Sequence, residues 1–197
     1  MRLVGVLLAA GRGARFGGAK LLARIPAASH GVSGGTAVGV AACTHLVAAL
    51  NDVIAVVRPG DSLLRYGLAG TGAQVLDCER ADEGMGASLA CAVAASADAD
   101  GWLVALADMP WIAPVSIVAV ADALRGGAEL AAPVFRGERG HPVGFARKYG
   151  GLLSALTGDE GARSLVASRK WALQLLDVDD PGVLRDIDRP DDLHQRA

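Results

Sequence analysis

An α/β fold with a mostly parallel sheet is predicted by three features of the sequence. Short apolar runs rich in β-branched residues recur along the chain, helix-compatible stretches separate them, and the chemically distinctive segments follow directly after two of the runs. Continuous rather than alternating apolar character belongs to strands covered on both faces. Strand alternating with helix gives right-handed βαβ units, and ligands then bind outside the carboxyl ends of the strands where the strand order reverses.

The first run, Leu3 to Ala10 (LVGVLLAA), predicts a strand and ends in the basic, glycine-rich segment Gly11 to Lys20 (GRGARFGGAK). The stretch from Pro26 to Gly39 is rich in small residues and reads as an exposed excursion, overlapping a helix expected over Thr36 to Leu50. Val53 to Val57 predicts a second strand, Asp61 to Leu68 a helix, Ala73 to Cys78 a third strand and Met85 to Ala97 a helix. A fourth strand is expected over Trp102 to Asp108, a helix over Pro114 to Arg125 and a fifth strand over Glu129 to Phe135. Helices over Lys148 to Leu156 and Glu160 to Ser168 then lead to a last strand over Trp171 to Val178. The strand-end rule directs attention to the Gly11 to Lys20 loop and to Asp108.

With 197 residues, 52% of them apolar, the chain is long enough for the core of one domain spanning 1–197 and short for two. Nineteen Lys and Arg against 21 Asp and Glu leave a formal charge of -2, so any anion site is local. That balance, with three Trp, two Tyr and three Phe, argues against nucleic acid as a partner. Cys43, Cys78 and Cys91 are widely spaced, without zinc-ligand order, and are expected to be reduced, buried small hydrophobes. The first apolar run is too short to span a membrane and is followed by arginines where a signal peptide carries small residues, so a cytoplasmic location is expected.

Glycines at 11, 13, 17 and 18 allow backbone N–H groups to converge on an anion, while Arg12, Arg15 and Lys20 bring side-chain charge to the same place. Neither GxGxxG nor the P-loop pattern fits, because Phe16 stands three after Gly13 and no Gly-Lys-Ser/Thr triplet is present. The alternative is an ordinary glycine-rich strand-to-helix turn with solvated basic residues. Asp108 ends an apolar run before Met109-Pro110, which suits either a turn aspartate or a ligand for a hard cation.

Leu8-Ala9-Ala10-Gly11, Arg15-Phe16-Gly17 and Lys20-Leu21 resemble the signature loop LAAG-x3-RFG-x2-K-L of the MobA-like nucleotidyltransferases, and most resemble the molybdenum cofactor cytidylyltransferases. The likeness continues in order through EGMGASL (Glu83 to Leu89), ADMPWI (Ala107 to Ile112), GHPVGF (Gly140 to Phe145), LTGDEGARSLV (Leu156 to Val166) and DIDRPDDL (Asp186 to Leu193). The resemblance implies a Rossmann-like three-layer α/β/α nucleotidyltransferase fold that joins a nucleotidyl group from a nucleoside triphosphate to a phosphate-bearing acceptor, releasing pyrophosphate. It implies Arg15, Lys20 and Asp108 as catalytic residues. It implies nucleotide contacts from Leu8, Ala9, Ala10, Gly11, Arg12, Gly13, Lys20, Gly86 and Ser88. The expected cofactor is Mg2+, with Mn2+ as a substitute, held by Asp108 and Asp188.

Asp188 is also suited to cap a last helix beginning near Pro190, Ser88 to cap the helix at Met85, and His141 either to place the acceptor or only to stiffen a strand entry. Asp186 is expected on the surface. Ala9-Ala10 resembles the cytidylyl pattern rather than the guanylyl LAGG, which favours CTP. Two departures stand out: Ala107 where the family's GDMP motif has glycine, and a segment from Ala23 to Gly39 without the usual lysine, which bears on the acceptor. Three functions follow. The first is CMP transfer from CTP to a molybdopterin-type cofactor, with a molybdoenzyme as a further partner. The second is the same reaction on a sugar or polyol phosphate, or with GTP. The third is a non-catalytic carrier or chaperone for such a cofactor.

Overall fold

The computed structural model describes residues 1–26, 32–159 and 161–194. His30, the middle of the expected excursion (27–31) and Glu160, where a helix was expected to begin, lie outside the described residues. Strands β1 (Leu3–Leu8), β2 (Val53–Val57), β3 (Gln74–Asp77), β4 (Gly101–Leu106), β5 (Leu130–Phe135) and β8 (Leu173–Asp177) stand where the apolar runs place them. Helices α1 (Val38–Ala49), α2 (Ser62–Ala69), α3 (Met85–Ala95) and α4 (Pro114–Arg125) alternate with them.

With the short strands β6 (Glu138–Arg139) and β7 (Val143–Ala146), the strand order is β3-β2-β1-β4-β7-β5-β6, with β8 beside β5. β1 pairs in parallel with β2 on one side and β4 on the other, so the order reverses between β1 and β4. That reversal opens a crevice at their carboxyl ends. Alternation along the strands divides two apolar layers. Leu3 and Leu7 of β1, Ala55 of β2 and Leu103 of β4 join one cluster with Leu46 of α1 and Val120 of α4. Val4, Val6, Ile54, Trp102 and Val104 join another with Leu89 of α3. The fold is therefore the expected three-layer α/β/α arrangement. Fully burying a leucine such as Leu7 or Leu46 contributes about 1.5–3 kcal/mol, which is why both sheet faces carry helices.

Four expectations are corrected. Between β4 and β5 the sheet inserts β7 (Val143–Ala146), antiparallel to both, and β5 also pairs with β6 (Glu138–Arg139). β7 is an apolar segment of only four residues, VGFA, too short to stand out as a run in the sequence. The helix expected over Lys148 to Leu156 is a 3-10 turn over Arg147–Tyr149 followed by the short α5 (Gly150–Ser154), and α6 begins only at Arg163 (Arg163–Ser168). The excursion after Pro26 is not simply exposed: Ile25, Val32 and Val38 are buried in the core, and Arg24 bridges to Ala37. Finally, Cys78, just after β3, and Cys91 of α3 form a disulfide rather than remaining reduced; Cys43 alone is free and buried. Among the described residues no helix is long and apolar enough to cross a membrane.

The chain after β8 returns to the crevice. Asp180, almost fully buried, accepts hydrogen bonds from the backbone N–H groups of Ala113 (2.9 Å) and Gly182 (2.9 Å) and from the Ser116 hydroxyl (2.7 Å). It thereby ties the start of α4 to the segment that carries Asp186 and Asp188. The Ile187 N–H donates to the Asp108 carbonyl at 2.9 Å, which aligns that segment with the end of β4.

Candidate active site

The glycine loop leaves β1 at the reversal point. Gly13 has φ 60°, and a Cβ there would lie 2.6 Å from the Gly18 carbonyl oxygen, so glycine is required both by conformation and by close approach. The loop then makes two 3-10 turns, Ala14–Phe16 and Lys20–Leu22. Leu21 enters the core, and this anchors its neighbour Lys20 with the side chain only 12% exposed.

Lys20 Nζ donates to Asp108 Oδ2 at 2.7 Å and lies 3.6 Å from Asp188 Oδ1. Arg15 donates from Nη1 to Asp188 Oδ2 at 2.8 Å. Three catalytic and metal candidates widely separated in sequence, Lys20, Asp108 and Asp188, thus meet at one point, with Arg15 at its rim. Asp188 does not cap a helix through its side chain. The closing turn over Pro190–His194 is 3-10, and the Asp192 carboxylate accepts there from the N–H groups of Asp188 and Arg189.

Asp186, expected merely on the surface, is exposed but belongs to the same cluster. It offers an oxygen that lies within 4.8 Å of oxygens from Asp108 and Asp188. Partial burial, then the charges of Asp108 and Asp188, push its carboxyl above the ordinary carboxylate range. The Arg15 hydrogen bond, helped by Lys20, holds Asp188 below that range. Three hard oxygen donors converging beside an anchored ammonium fit a divalent ion such as Mg2+ or Mn2+, which takes carboxylates and retains waters for a phosphate to replace.

Leu8, Ala10, Gly11 and Arg12 line a cavity of about 380 Å3 at the carboxyl ends of β1 and β4, together with Ser88 and Asp108. Ala9 and Gly13 are not among the residues that line it. Gly86 also stays outside: a Cβ there would lie 2.6 Å from the Thr157 carbonyl oxygen, so it packs α3 on residues 157–158. Gly84 stands at the N-cap, and Ser88, instead of capping, donates its hydroxyl to the Gly84 carbonyl at 3.3 Å. His141 is separate from this cavity and is joined to Pro142 by a cis peptide bond. Burial pushes its imidazole down, against partial support from the Val104 backbone and the Asp108 charge.

Arg58 and Asp82 also line this cavity. Arg58 Nε donates to the Ala10 carbonyl at 2.7 Å, and its guanidinium also pairs with Asp82, which accepts from Arg12 Nη2 at 2.9 Å. This brace joins the glycine loop to the turn before α3. Arg58 follows the VIAVV run directly, so the strand-end rule points to it; nothing in the local sequence marks Asp82. The Arg12 and then the Arg58 hydrogen bonds hold the Asp82 carboxyl below its ordinary value. A folded value below the unfolded one contributes stability that is present above the unfolded value, near 4, and is lost as pH falls through the folded value. We expect the melting temperature of Asp82→Asn to decline less steeply on acidification below about pH 4 than that of the unmodified protein, as followed by circular dichroism. Parallel declines would show the brace to be silent.

With this geometry in hand, comparison with known proteins is decisive. The model of the MobA-like NTP transferase domain matches residues 5–175. The chain belongs to the MobA-like NTP transferase family. It is 31% identical to the purine catabolism protein PucB of Bacillus subtilis (strain 168), over 99% of this chain and 97% of that one. It is 30% identical to a nicotine blue oxidoreductase of Paenarthrobacter nicotinovorans, over 98% of this chain and 95% of that one. Among solved structures, Rv0371c of Mycobacterium tuberculosis H37Rv superimposes with a TM-score of 0.83 at 30% identity, covering 98% and 96% of the two chains. The same mycobacterial protein has also been solved in complex with manganese, and that structure superimposes with a TM-score of 0.76 at 27% identity, covering 98% and 97%. The MobA-like assignment supports a nucleotidyltransferase, and the crevice described above occupies the position that such a fold reserves for ligands.

Proposed function

We propose that this MobA-like domain, acting as a single unit over 1–197, transfers CMP from CTP to the phosphate of a molybdopterin-type cofactor and releases pyrophosphate. The observation that carries the proposal is the convergence of Lys20, Asp108 and Asp188 beside the glycine loop. An acceptor phosphate oxygen forms the new bond to the α-phosphorus, the bond between the α- and β-phosphates breaks, and its electrons leave with pyrophosphate. A phosphate monoester is largely ionised at neutral pH, so the chain needs no nucleophile and no strong base of its own.

The residues present therefore bind, orient and neutralise. Backbone N–H groups of the glycine loop and the guanidinium of Arg12 face the nucleotide cavity, and Ala10 and Ser88 sit beside base and ribose. Lys20 and Arg15 turn from their carboxylate partners to the phosphates. Asp108, Asp188 and Asp186 are the residues that would hold Mg2+ or Mn2+, and the manganese-bound relative supports that assignment. Such an ion supplies charge neutralisation at the phosphates when bound. Preorganised cations of this kind provide most of the rate in phosphoryl chemistry.

Calorimetric titration of CTP, GTP, UTP and ATP in the presence of Mg2+ tests the reading. The expected result is selective CTP binding, followed by pyrophosphate release when molybdopterin is added. Preference for GTP would reassign the base, and nucleotide binding without turnover on any acceptor would favour a carrier.

A further inference from the structure

β8 pairs with β5 alone, so among the described residues one of its edges has no neighbouring strand. Just after β8, the Val178 N–H donates to the Val134 carbonyl of β5 at 2.9 Å. Alternate residues of a parallel pair turn their N–H and C=O groups to the partner, so Gln174 and Leu176 face β5 while Leu173, Leu175 and Asp177 present theirs outward. An open edge is a template for another strand, and folded proteins usually guard it with charge, proline or a covering segment. β3, at the far end of the sheet, is guarded: its Asp77 pairs with Arg65, and Val75 and Leu76 are half-buried. β8 carries no charge before its last residue. Leu175 is 56% exposed and Trp171, just before the strand, 76%, and among the described residues no other strand has a large apolar side chain so exposed.

The two ends of this edge are opposite in charge. Arg169 and Lys170 precede the strand, whereas Asp177 and Asp179 stand at its end. Those two aspartates, with Trp111, Val115 and Ala119, line a cavity of about 560 Å3 whose walls hold no basic residue. Lys170, Asp177 and Asp179 form no ion pair among the described residues.

We propose that the open edge of β8 docks a second copy of this chain, paired antiparallel about a twofold axis through Leu175. Leu173 of each copy then faces Asp177 of the other, Leu175 faces its own counterpart, and the outward groups complete about six hydrogen bonds between the copies. Charge selects the antiparallel sense: the Arg169–Lys170 end of each copy meets the acidic cavity of the other, where a parallel pairing would set like charges together. Leu175 and Trp171 lose their exposure in the same step. A twofold contact uses one patch on both copies and closes at two. One short edge buries less than a standard interface, so half-association is expected at about 10–100 µM. No β8 residue lines the nucleotide cavity, so the inference stands apart from the transferase reading.

Sedimentation velocity on the full chain, from about 1 to 500 µM, tests it. The expected result is a doubling of mass over that range. Trp102 and Trp111 are already buried, so acrylamide quenching of the fluorescence reads Trp171, and it should fall as the mass doubles. Leu175→Lys is expected to weaken association at least about tenfold. Lys170→Glu and Asp179→Lys are each expected to weaken it about tenfold, and an equimolar mixture of these two variants recovers most of the loss, because both ends again join opposite charges. Melting temperatures within about 2 °C of the unmodified protein show that the variants are folded. A mass that stays at one copy throughout overturns the proposal, as does a dimer indifferent to all three substitutions or one in which Trp171 quenches as before. Growth beyond two copies overturns it as well, since that is the signature of head-to-tail pairing between β8 and β3.

Discussion

Replacing Lys20 with alanine is expected to lower turnover by about 10²–10³-fold while tightening the hold of the acidic cluster on Mn2+ in the absence of nucleotide by about tenfold. The opposite signs follow from the position of one ammonium. Lys20 Nζ sits 2.7 Å from one carboxylate and 3.6 Å from another, so it occupies the electrostatic role of a cation among Asp108, Asp188 and Asp186. Two unit charges about 4 Å apart interact by about 4 kcal/mol at the effective dielectric of such a site. Without the ammonium the mutual repulsion of the carboxylates is less fully compensated, although Arg15 stays on Asp188, and a bound metal relieves more of it, hence the gain in Mn2+ affinity. Once a triphosphate arrives, the same ammonium is the chain's most anchored positive charge near the phosphates, and its loss removes stabilisation that water does not replace. Asp108→Asn provides the contrast, since it weakens Mn2+ and turnover together. Titration of Mn2+ by electron paramagnetic resonance, beside pyrophosphate release, reads both effects. If Lys20→Ala leaves Mn2+ affinity unchanged, the ammonium is not the cluster's resident counter-charge.

The largest stability effect is expected at Gly182, far from the loop in sequence. A Cβ at this position would lie 2.0 Å from the Trp111 carbonyl oxygen and 2.5 Å from its carbonyl carbon, both backbone atoms with no rotamer to yield. Gly182→Ala must therefore push the 180–188 segment away from the turn after β4. Displacement breaks the Asp180 hydrogen bonds to Ala113, Ser116 and Gly182 and leaves buried donors unpaired. We expect a loss of about 3–5 kcal/mol, and for a chain of this size a drop of about 6–20 °C in melting temperature. The Ile187 N–H to Asp108 carbonyl bond shares that segment, so Mn2+ affinity falls too, although neither altered atom belongs to the acidic cluster. A melting temperature within about 2 °C of the unmodified protein would mean that the segment can shift without strain.

Much of the site was legible because its parts lie at strand ends. The Gly11 to Lys20 loop and Asp108 both follow long apolar runs, and β1 and β4 prove to be neighbours at the reversal of strand order. Arg58 obeys the same rule after β2, yet a single arginine after a strand has no pattern of its own. Asp186 was read as surface, which its exposure bears out, but only folding brings it within 4.8 Å of Asp108 and Asp188. Asp82 carries no local signal at all. Ser88 lines the cavity but donates its hydroxyl to the Gly84 carbonyl rather than capping, and the close packing of Gly86 on residues 157–158 is a tertiary contact that the sequence does not mark.

By itself the sequence determined the three-layer class, the positions of the long strands and helices and the family, because each depends on continuous runs or on residues adjacent in the chain. Continuous apolar strands must be covered on both faces whatever else the chain does. Tertiary structure alone decided the insertion of β7 between parallel strands, the pairing of Cys78 with Cys91, the brace of Arg12, Arg58 and Asp82, and the third carboxylate beside Lys20. Each of these joins residues whose separation along the chain leaves no periodicity to read, and each depends on how helices settle on the sheet and where the closing segment is pinned by Asp180.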